Sequence, residues 1–315
     1  MRFNIVMLLF AQLVMPVGFL ANLAQTRTES QFELLLYTLV VVSYVVFIFI
    51  TGRWDWFGYT LRFILLIFLC IVVFTTWNNA SEQQWWSGIG QVNWVENVAR
   101  LALFLTFAGL VGKASRGFRS PGNPIDVSFP LDNGTYYVAH GGSDAVINYH
   151  YTHTAQRFAL DIVKLNKFGI RASAIYPKSL ERYFIFNEPV LSPVEGRVLR
   201  SVDGLPDLTP PERDANAPAG NHVVIQPMGT EVYILLAHLK MGSVAVREGD
   251  HVHPGQILGR IGNSGNTTEP HLHIHCATID GNDFTGGGTG IPLSFGGKFL
   301  KRNSIVSTRL DRTLP

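Results

Sequence analysis

Residues His271–Ala277 read His-Leu-His-Ile-His-Cys-Ala, an alternation of imidazole and apolar side chains. Because successive side chains of a β-strand point to opposite faces of a sheet, this period of two puts three imidazoles on one face and Leu272 and Ile274 on the other. Imidazole nitrogens are costly to bury without partners, and neutral imidazole is a common zinc ligand. The stretch therefore predicts a strand with one packed face and one face suited to a metal.

Short alternating segments of the same kind surround this strand, and turn residues separate them. No amphipathic helix of 12 residues lies between them, so we expect a mostly antiparallel β domain at 131–315, after a linker at 115–130. The segment Asp203–Gly220 is rich in Pro, Asp and Ala and predicts a surface loop. The candidate strands are Tyr136–Ala139, Arg157–Val163, Arg197–Ser201, His222–Gln226, Glu231–His238, Gln256–Ile261 and His271–Ala277.

Residues 1–114 have the composition of an α-helical membrane region. Over the whole chain 47% of residues are hydrophobic and only 15% are charged, against roughly a quarter charged in an average soluble domain. Charge-free runs of 24, 19 and 19 residues occupy positions 3–26, 34–52 and 63–81. About 20 helical residues cross about 30 Å of hydrocarbon, so each run predicts a transmembrane helix. The predicted spans are 4–24, 33–51 and 61–78.

A fourth apolar segment, 97–112, leaves the number of spans at three or four. It has 16 residues and carries Arg100 near its start, so it crosses only if Arg100 snorkels to the surface. Basic residues near the spans favour a cytoplasmic amino terminus; four spans would then place both ends inside and three would place the long carboxyl-terminal part outside. Large domains translocate with little regard to charge, so the charges leave open on which side the β domain lies.

Charge and cysteine content exclude two further classes of protein. The net charge is +3 before residue 120 and −1 after it, so neither part has the basic excess of a nucleic-acid binder. Two cysteines, Cys70 and Cys276, cannot form a framework of several disulfides. Trp54 and Trp56 lie between two predicted spans, where indoles commonly anchor a protein at the lipid headgroups. The expected surroundings are therefore lipid for one part and water for the other.

Asp161 and His238 are two further candidate functional residues, and each lies in an apolar segment outside the histidine strand. Asp161 lies between apolar neighbours in Arg157–Val163, where an unpaired carboxylate would be costly to bury. It therefore needs a cation, which a metal ion would supply and which Arg157, on the same strand face, would also supply. His238 ends the alternating run that begins at Tyr233, at the point where that strand leaves the core.

Taken together, these residues resemble the lysostaphin-like, or LytM-type, zinc metallopeptidases. The resemblance is carried by Asp161, Ala237-His238-Leu239, Glu248-Gly249-Asp250, Pro254-Gly255-Gln256 and the stretch Gly265–His273. It is strong over Ser192–Ala277 and weak back to about Asn148. It implies a compact antiparallel β fold with zinc in a groove, and an activity that cuts peptide bonds of peptidoglycan. With such a substrate, we expect a multi-pass protein of the bacterial cell membrane with the β domain on the extracytoplasmic side.

The resemblance implies a role for each matching position. Asp161 and His273 would be zinc ligands, and His238 and His271 would be the two catalytic histidines beside the metal. The family usually has a histidine four residues before the aspartate, and Arg157 stands there in this chain. The first metal ligand is therefore open between three alternatives. His150, within an Asn-Tyr-His sequence that resembles one branch of the family, comes first; His153 comes second; a site without this ligand is the third.

The resulting expectation is a membrane-anchored zinc metalloendopeptidase in which a metal-activated water attacks the peptide bond. Either His271 or His238 would accept the water proton, and His238 is the better candidate for stabilising the transition state. His275 points the same way as His271 and His273 and would support them from behind. The Arg157 departure motivates the alternative, a catalytically silent domain that binds peptidoglycan or regulates another hydrolase. The expected partners are a peptidoglycan peptide and the lipid bilayer, and no nucleic acid.

Overall fold

The computed structural model describes residues 2–26, 30–85 and 93–308, with the side chains of 2–5 left out. The chain divides into two compact units. One comprises Met1–Gly52 and Thr60–Ser115, and the other comprises Arg53–Tyr59 and Arg116–Pro315. The short segment Arg53–Tyr59 therefore belongs to the same unit as the carboxyl-terminal domain, although in sequence it lies between two apolar helices.

The first unit is helical, and four of its stretches are long and apolar enough to cross a membrane. Pro16 lacks the N–H that an α-helix would need at that position, and a π-helical turn, Phe10–Val14, precedes it. The fourth stretch extends well beyond the predicted 97–112 and has 23 residues. The helices are α1 Arg2–Leu9, α2 Met15–Gln25, α3 Gln31–Thr51, α4 Leu61–Asn79 and α5 Trp94–Arg116.

Aliphatic side chains fill the interior of the helical unit and also cover much of its outside. Leu23, Leu34 and Val45 are buried in one cluster, while Ile67 and Phe74 are exposed. Such a surface suits hydrocarbon, where exposing apolar side chains carries no hydrophobic penalty. The prediction of a helical membrane region is confirmed to this extent: four helical stretches have the required length and composition. The first of them, Val6–Gln25, runs from α1 through the π-helical turn into α2.

The second unit is built on a nine-stranded sheet in which all pairings are antiparallel. Its order is β14-β2-β3-β10-β7-β6-β5-β8, and β11 pairs with β10; β1-β12-β13 and β4-β9 form two small sheets. The strands are β1 Ile125–Val127, β2 Gly134–His140, β3 Leu160–Leu165, β4 Pro189–Leu191, β5 Gly196–Val202, β6 Asn221–Pro227, β7 Val232–Leu239, β8 His251–Val252, β9 Ile257–Arg260, β10 Leu272–Thr278, β11 Gly290–Ile291, β12 Leu293–Phe295, β13 Lys298–Phe299 and β14 Ile305–Thr308.

The alternation of side chains gives the large sheet two different faces. Leu160 and Ile162 of β3, with Leu272 and Ile274 of β10, belong to the main hydrophobic core on one face. Residues of the other parity, such as Asp161 and His273, therefore lie on the opposite face. The candidate functional side chains of the central strands are thus separated from the main core by the sheet itself.

The predicted antiparallel β domain is confirmed, with differences at its boundaries. β3 begins at Leu160 rather than at Arg157, because residues 154–158 form turns that bring the chain back toward the sheet. The predicted linker 115–130 contains β1, which pairs in parallel with β12, so ordered structure of this unit starts before residue 131. The segment Asp203–Gly220 runs between β5 and β6 without a strand, as predicted.

Candidate metal centre and active site

Strand β10 occupies the middle of the sheet and brings two neighbouring strands to one histidine. His273 lies directly opposite Asp161 of β3 and opposite Ala237 of β7. Period-two alternation turns His271, His273 and His275 to the same face, and Asp161 projects from that face as well. The arrangement therefore gathers a carboxylate and several imidazoles on a sheet surface that the main core does not occupy.

His238 reaches this face because the backbone of β7 breaks its alternation at that residue. Leu236 and Leu239 both belong to the main core, although they are three positions apart. His238 has φ +64°, the left-handed conformation that is uncommon for residues other than glycine. The reversal turns the imidazole away from the core, and its ring centroid lies 4.8 Å from that of His271. Such a backbone outlier is typical of a functional position.

His150 comes to the site on a 3-10 turn, Tyr149–Thr152, and not on a strand. Its Nε2 atom lies 3.0 Å from each carboxylate oxygen of Asp161. The buried side chain of Asn148 holds the turn: its Oδ1 accepts from the His150 backbone N–H, and its Nδ2 donates to the carbonyls of Gly142 and Ala159. The chain reversal that the sequence required for His150 is made by residues 153–159.

The chemistry and spacing of this donor set fit a zinc ion. The ligand atoms of His150, Asp161 and His273 all lie within 4.8 Å of one another, and all three residues are buried. The His273 Nδ1 atom is 3.0 Å from Asp161 Oδ1, the same separation as for His150. Tetrahedral zinc with bonds of about 2.0–2.1 Å places neighbouring ligand atoms about 3.3 Å apart. Two imidazoles and one carboxylate also leave the fourth position of a catalytic zinc site open.

Electrostatics favour the protonation states that a metal requires. Burial alone would raise the pKa of Asp161, but the imidazoles of His150 and His271 outweigh it and hold that pKa well below its usual value. Burial lowers the pKa of His273 to about 4. At neutral pH the aspartate is therefore ionised and His273 is neutral, as metal ligands must be.

Backbone carbonyls orient the two remaining histidines. The His271 Nδ1 atom lies 2.8 Å from the Glu269 carbonyl oxygen, and the His238 Nδ1 atom lies 2.9 Å from the Ser264 carbonyl oxygen. A carbonyl only accepts hydrogen bonds, so each Nδ1 carries the proton. In the neutral rings Nε2 is then unprotonated, and the Nε2 atom of His271 is 3.5 Å from Asp161 Oδ1.

Comparison with known protein families supports the same reading of the sheet. Residues 184–284 match the family described as peptidase family M23. The match lies within the second compact unit, which we call the M23 domain. The matched residues include His238, His271 and His273 and begin after His150 and Asp161. The family match therefore covers one half of the candidate site, and the other half is given by the geometry.

Solved structures similar to this chain include several peptidases. The lysostaphin catalytic domain from Staphylococcus simulans is 21% identical, covering 36% of this chain and 81% of that one, with a TM-score of 0.25. A zinc-containing peptidase from Vibrio cholerae is 26% identical over 29% of this chain and 24% of that one, TM-score 0.23. A mutant catalytic domain of the M23 protein EnpA from Enterococcus faecalis is 18% identical, over 55% and 93%, TM-score 0.27. No curated protein sequence matches the chain.

Two cavities of the M23 domain flank the donor set. One, of about 200 Å³, is bordered by His150, His238 and His273. The other, of about 250 Å³, is bordered by Asp161 and His271. Tyr149 and Asn266 line both cavities. The candidate metal position is therefore accessible from two sides, which suits a substrate that extends past it.

The M23 domain brings together the five residues that were placed first for the site. The alternative ligand His153 borders the same 200 Å³ cavity but does not belong to the group of ligand atoms. His150, Asp161, His238, His271 and His273 share one face, whereas His153 is exposed. Their assignments as ligands and catalytic groups remain predictions. Arg157 does not take the place of a metal: its guanidinium lies 5.4 Å from the Tyr151 ring, and the ion pairs of Asp161 within the described residues are with histidines.

The remaining histidines lie outside the group of ligand atoms around Asp161. His275 Nδ1 is 3.0 Å from His273 Nε2, so it supports that residue from behind. His222 bonds to the Gly220 carbonyl, and His251 and His253 are exposed. His140 is half-buried beside Tyr149, at 4.7 Å between ring centroids.

Four supporting residues were not predicted from the sequence: Asn148 as a buried anchor, Ser264 and Glu269 as carbonyl acceptors, and Arg171 as a partner of Glu269. A signal existed for Glu269, because an acidic residue two positions before His271 in an otherwise uncharged loop needs a partner. The sequence gives no indication which distant arginine supplies it. Asn148 contacts backbone carbonyls, and Ser264 contributes its own carbonyl. Because every residue has a backbone carbonyl, such contacts leave no pattern in the sequence.

Proposed function

We propose that this protein is a membrane-anchored zinc metalloendopeptidase that hydrolyses peptide bonds of peptidoglycan. The observation that carries the proposal is the convergence of His150, Asp161 and His273 on one point, with His238 and His271 beside it. The family match supports a hydrolase that acts on peptide bonds. The LytM-type resemblance of the sequence supports peptidoglycan as the source of those bonds.

His150 supplies the zinc ligand that is missing from its usual place in the sequence. Arg157 stands where the family usually has a histidine, and this departure suggested a silent domain. His150 provides an imidazole at the same carboxylate from a different part of the chain. The donor set is therefore two histidines and an aspartate, the composition expected of an open catalytic zinc site.

When bound, zinc supplies Lewis acidity that activates water and polarises a peptide carbonyl near neutral pH. His271 and His238 supply the proton transfers: a carbonyl holds each Nδ1–H, so in the neutral ring Nε2 faces the site without a proton. Burial alone would lower the pKa of His271, but Asp161 outweighs it and raises that pKa, so the Nε2 of that residue becomes available as pH rises. We assign proton acceptance to His271, whose Nε2 lies 3.5 Å from the ligand Asp161, and the proton that it takes from water leaves with the amine. His238 is the candidate for contacting the oxyanion.

The test uses the full chain purified in detergent, with zinc content and cleavage of a peptidoglycan peptide as readouts. We expect His273→Ala to lose both zinc and cleavage, because it removes a ligand. We expect His271→Ala to retain zinc and lose turnover, because it removes only a proton acceptor. Asn216→Ala, at an exposed position of the same domain outside the groups of possible metal ligands, is the control and should change neither.

Two results would contradict the proposal. An active, zinc-free His273→Ala protein would refute the ligand assignment. A folded wild-type protein that binds no zinc and cleaves no peptidoglycan peptide would favour the silent peptidoglycan-binding alternative.

We further infer that the chain crosses the membrane four times. Helices α4 and α5 lie in sequence between Arg53–Tyr59 and Arg116–Pro315, which are parts of one compact unit. Both segments must therefore lie on the same side of the membrane, which requires that α4 and α5 both cross it or that neither does. Each is long and apolar enough to cross. Three spans with an interfacial α5 would separate the two segments.

With four crossings, the amino terminus and the M23 domain share one side, which we propose to be the extracytoplasmic side. Basic residues on that side, namely Arg2, Arg62, Lys113, Arg116 and Arg119, favour the cytoplasm under the positive-inside tendency. The weight of the tendency is small for a domain of this length, and the substrate lies outside. A reporter that is active only outside the cytoplasm, fused after Pro315, should be active. A cytoplasmic signal would leave a wall hydrolase without its wall.

A further inference from the structure

The segment Arg53–Tyr59, between α3 and α4, is buried in the M23 unit. Trp54 and Asp55 are almost completely inaccessible, and Trp56 is 9% exposed. Backbone hydrogen bonds join the segment to the domain, from the Arg171 N–H to the Asp55 carbonyl and from the Tyr59 N–H to the Gly169 carbonyl. The two tryptophans are therefore packed in protein and do not serve as the headgroup anchors expected from the sequence.

Arg53 and Arg171 together enclose the carboxylate of Glu269. Arg53 Nη2 donates to Glu269 Oε1 at 3.0 Å, and Arg171 donates to Glu269 Oε2 from Nε at 2.8 Å and from Nη2 at 2.6 Å. Asp55 completes the cluster by accepting two bonds from Arg53, at 2.9 and 2.7 Å. Arg171 and both carboxylates are buried and Arg53 is half-buried, so two cations face two carboxylates in surroundings with little water.

The ring of Trp56, which stacks on Tyr176, holds Arg171 in this geometry. The Arg171 guanidinium carbon lies 3.9 Å from the centre of the Trp56 ring, and Trp56 stacks on Tyr176 with centroids 5.8 Å apart. A guanidinium over an indole face is electrostatically favourable, most of all when both are removed from water. The segment therefore contributes a cation, an anion and a stacking surface to one cluster.

Glu269 connects this cluster to the candidate proton acceptor. Its carbonyl oxygen accepts from His271 Nδ1 at 2.8 Å and from Thr267 Oγ1 at 2.8 Å. Its side chain, held by Arg53 and Arg171, fixes the residue from the other side. Only Pro270, with its restricted φ, separates Glu269 from His271. Any displacement of the Glu269 carboxylate is thus transmitted to the carbonyl that sets the tautomer and orientation of His271.

We propose that Arg53 is a positioning residue of the peptidase site and that the segment Arg53–Tyr59 completes the M23 domain. The proposal rests on the proposed function in one respect, the role of His271 as proton acceptor. Arg53 acts through Glu269, whose Oε1 accepts from its Nη2 at 3.0 Å, and it borders the 250 Å³ cavity that Asp161 and His271 also border. It follows that the membrane region does more than tether: it supplies, between two of its helices, a part that the site requires.

The experiment compares Arg53→Gln with wild type in the full chain, purified in detergent and loaded with zinc. We expect kcat to fall about 10- to 100-fold, the range typical of groups that orient a catalytic shell, with KM and zinc content nearly unchanged. Arg200→Gln is the matched control, because Arg200 forms an exposed ion pair with Glu248 at 3.8 Å. It should leave kcat unchanged. Wild-type kcat in Arg53→Gln would overturn the proposal.

A second comparison tests the route through Glu269. In a Glu269→Gln background, Arg53→Gln should lower kcat by less than twofold further, because the contact it acts through has already been weakened. Independent effects would multiply, so a further loss as large as in the wild-type background would overturn the route. Should Arg53→Gln fail to fold, Arg53→Lys decides. It keeps the charge without the forked geometry, and a folded Arg53→Lys protein with wild-type kcat would equally overturn the proposal.

Hydrogen–deuterium exchange separates this proposal from the proposed function. Loosening Glu269 should accelerate amide exchange in residues 263–273 of Arg53→Gln, and Arg200→Gln should leave it unchanged. Faster exchange in a protein whose wild type cleaves no peptide would sink the proposed function while supporting the positioning of this loop. Unchanged exchange and unchanged kcat in an active protein would sink the positioning role alone.

Discussion

Strand β10 and the turn Tyr149–Thr152 deliver histidines to the same carboxylate by different physical means. β10 is hydrogen-bonded on both sides, to β3 and β7, so sheet register places His273 opposite Asp161. The turn has no such ladder, and a single buried amide, that of Asn148, ties it to neighbouring carbonyls. One half of the site is therefore fixed by the sheet, and the other half depends on a few side-chain bonds.

The segment Arg53–Tyr59 resembles the turn more than the strand. It too lies far in sequence from the residues it supports, and the half-buried side chain of Arg53 and the buried side chain of Asp55 hold it in place. The two cases show that the M23 sheet provides a rigid platform, while contributions from outside the central strands complete the donor set and orient its histidines. Substitutions in the central strands and substitutions in the segments outside them should therefore have different effects on zinc affinity, cleavage and stability.

The largest effect on the turn side is expected from His150→Ala. It removes the imidazole whose Nε2 faces both oxygens of Asp161, so zinc affinity and cleavage should fall by more than the roughly 100-fold typical of supporting residues. His153→Ala, three residues along and exposed, is the matched control. Metal analysis and peptide cleavage on both proteins provide the test. Retention of zinc by His150→Ala together with its loss from His153→Ala would reverse the assignment of the first ligand.

Asn148→Ala should have an intermediate effect, which measures how far the turn depends on one amide. The substitution leaves buried carbonyls of Gly142 and Ala159 without their donor, at a cost of about 1–3 kcal/mol in unfolding free energy. Zinc affinity should fall about 10- to 100-fold, because His150 remains but is no longer held. Asn216→Ala, at an exposed position, is the control for thermal unfolding and zinc titration. Full zinc affinity in Asn148→Ala would show that the turn Tyr149–Thr152 keeps its conformation without the Asn148 side chain.

The same division explains how much of the molecule was predictable from the sequence. Period-two alternation predicts the shared face of His271 and His273, and charge-free runs predict membrane helices, because both patterns reflect the local geometry of one element. The left-handed backbone at His238 is not visible in any pattern, although the residue was identified by resemblance. The pairing of Glu269 with Arg53 spans 216 positions and crosses two helices, so only the folded chain reveals it.

The smallest effect is expected on the strand side, from His275→Phe. If His273 binds zinc through Nδ1, the atom that faces Asp161, its Nε2 carries the proton and donates to His275 Nδ1. His275 Nε2–H would then be a buried donor without a partner among the described residues. Phenylalanine removes both the acceptor and the unpaired donor, and the 200 Å³ cavity beside the ring gives it room. We expect zinc affinity to fall by about tenfold at most and unfolding free energy to change by less than about 1.5 kcal/mol.

His222→Phe is the matched control for this substitution, because His222 is also buried and bonded but lies outside the cluster of ligand atoms. Zinc titration and thermal unfolding of both proteins would separate loss of the His273 contact from loss of any buried imidazole. If His275→Phe lost zinc as completely as His150→Ala, the sheet would not be what fixes His273. The contrast between the register-fixed strand and the side-chain-fixed turn would then be lost, since both halves would depend equally on individual polar contacts.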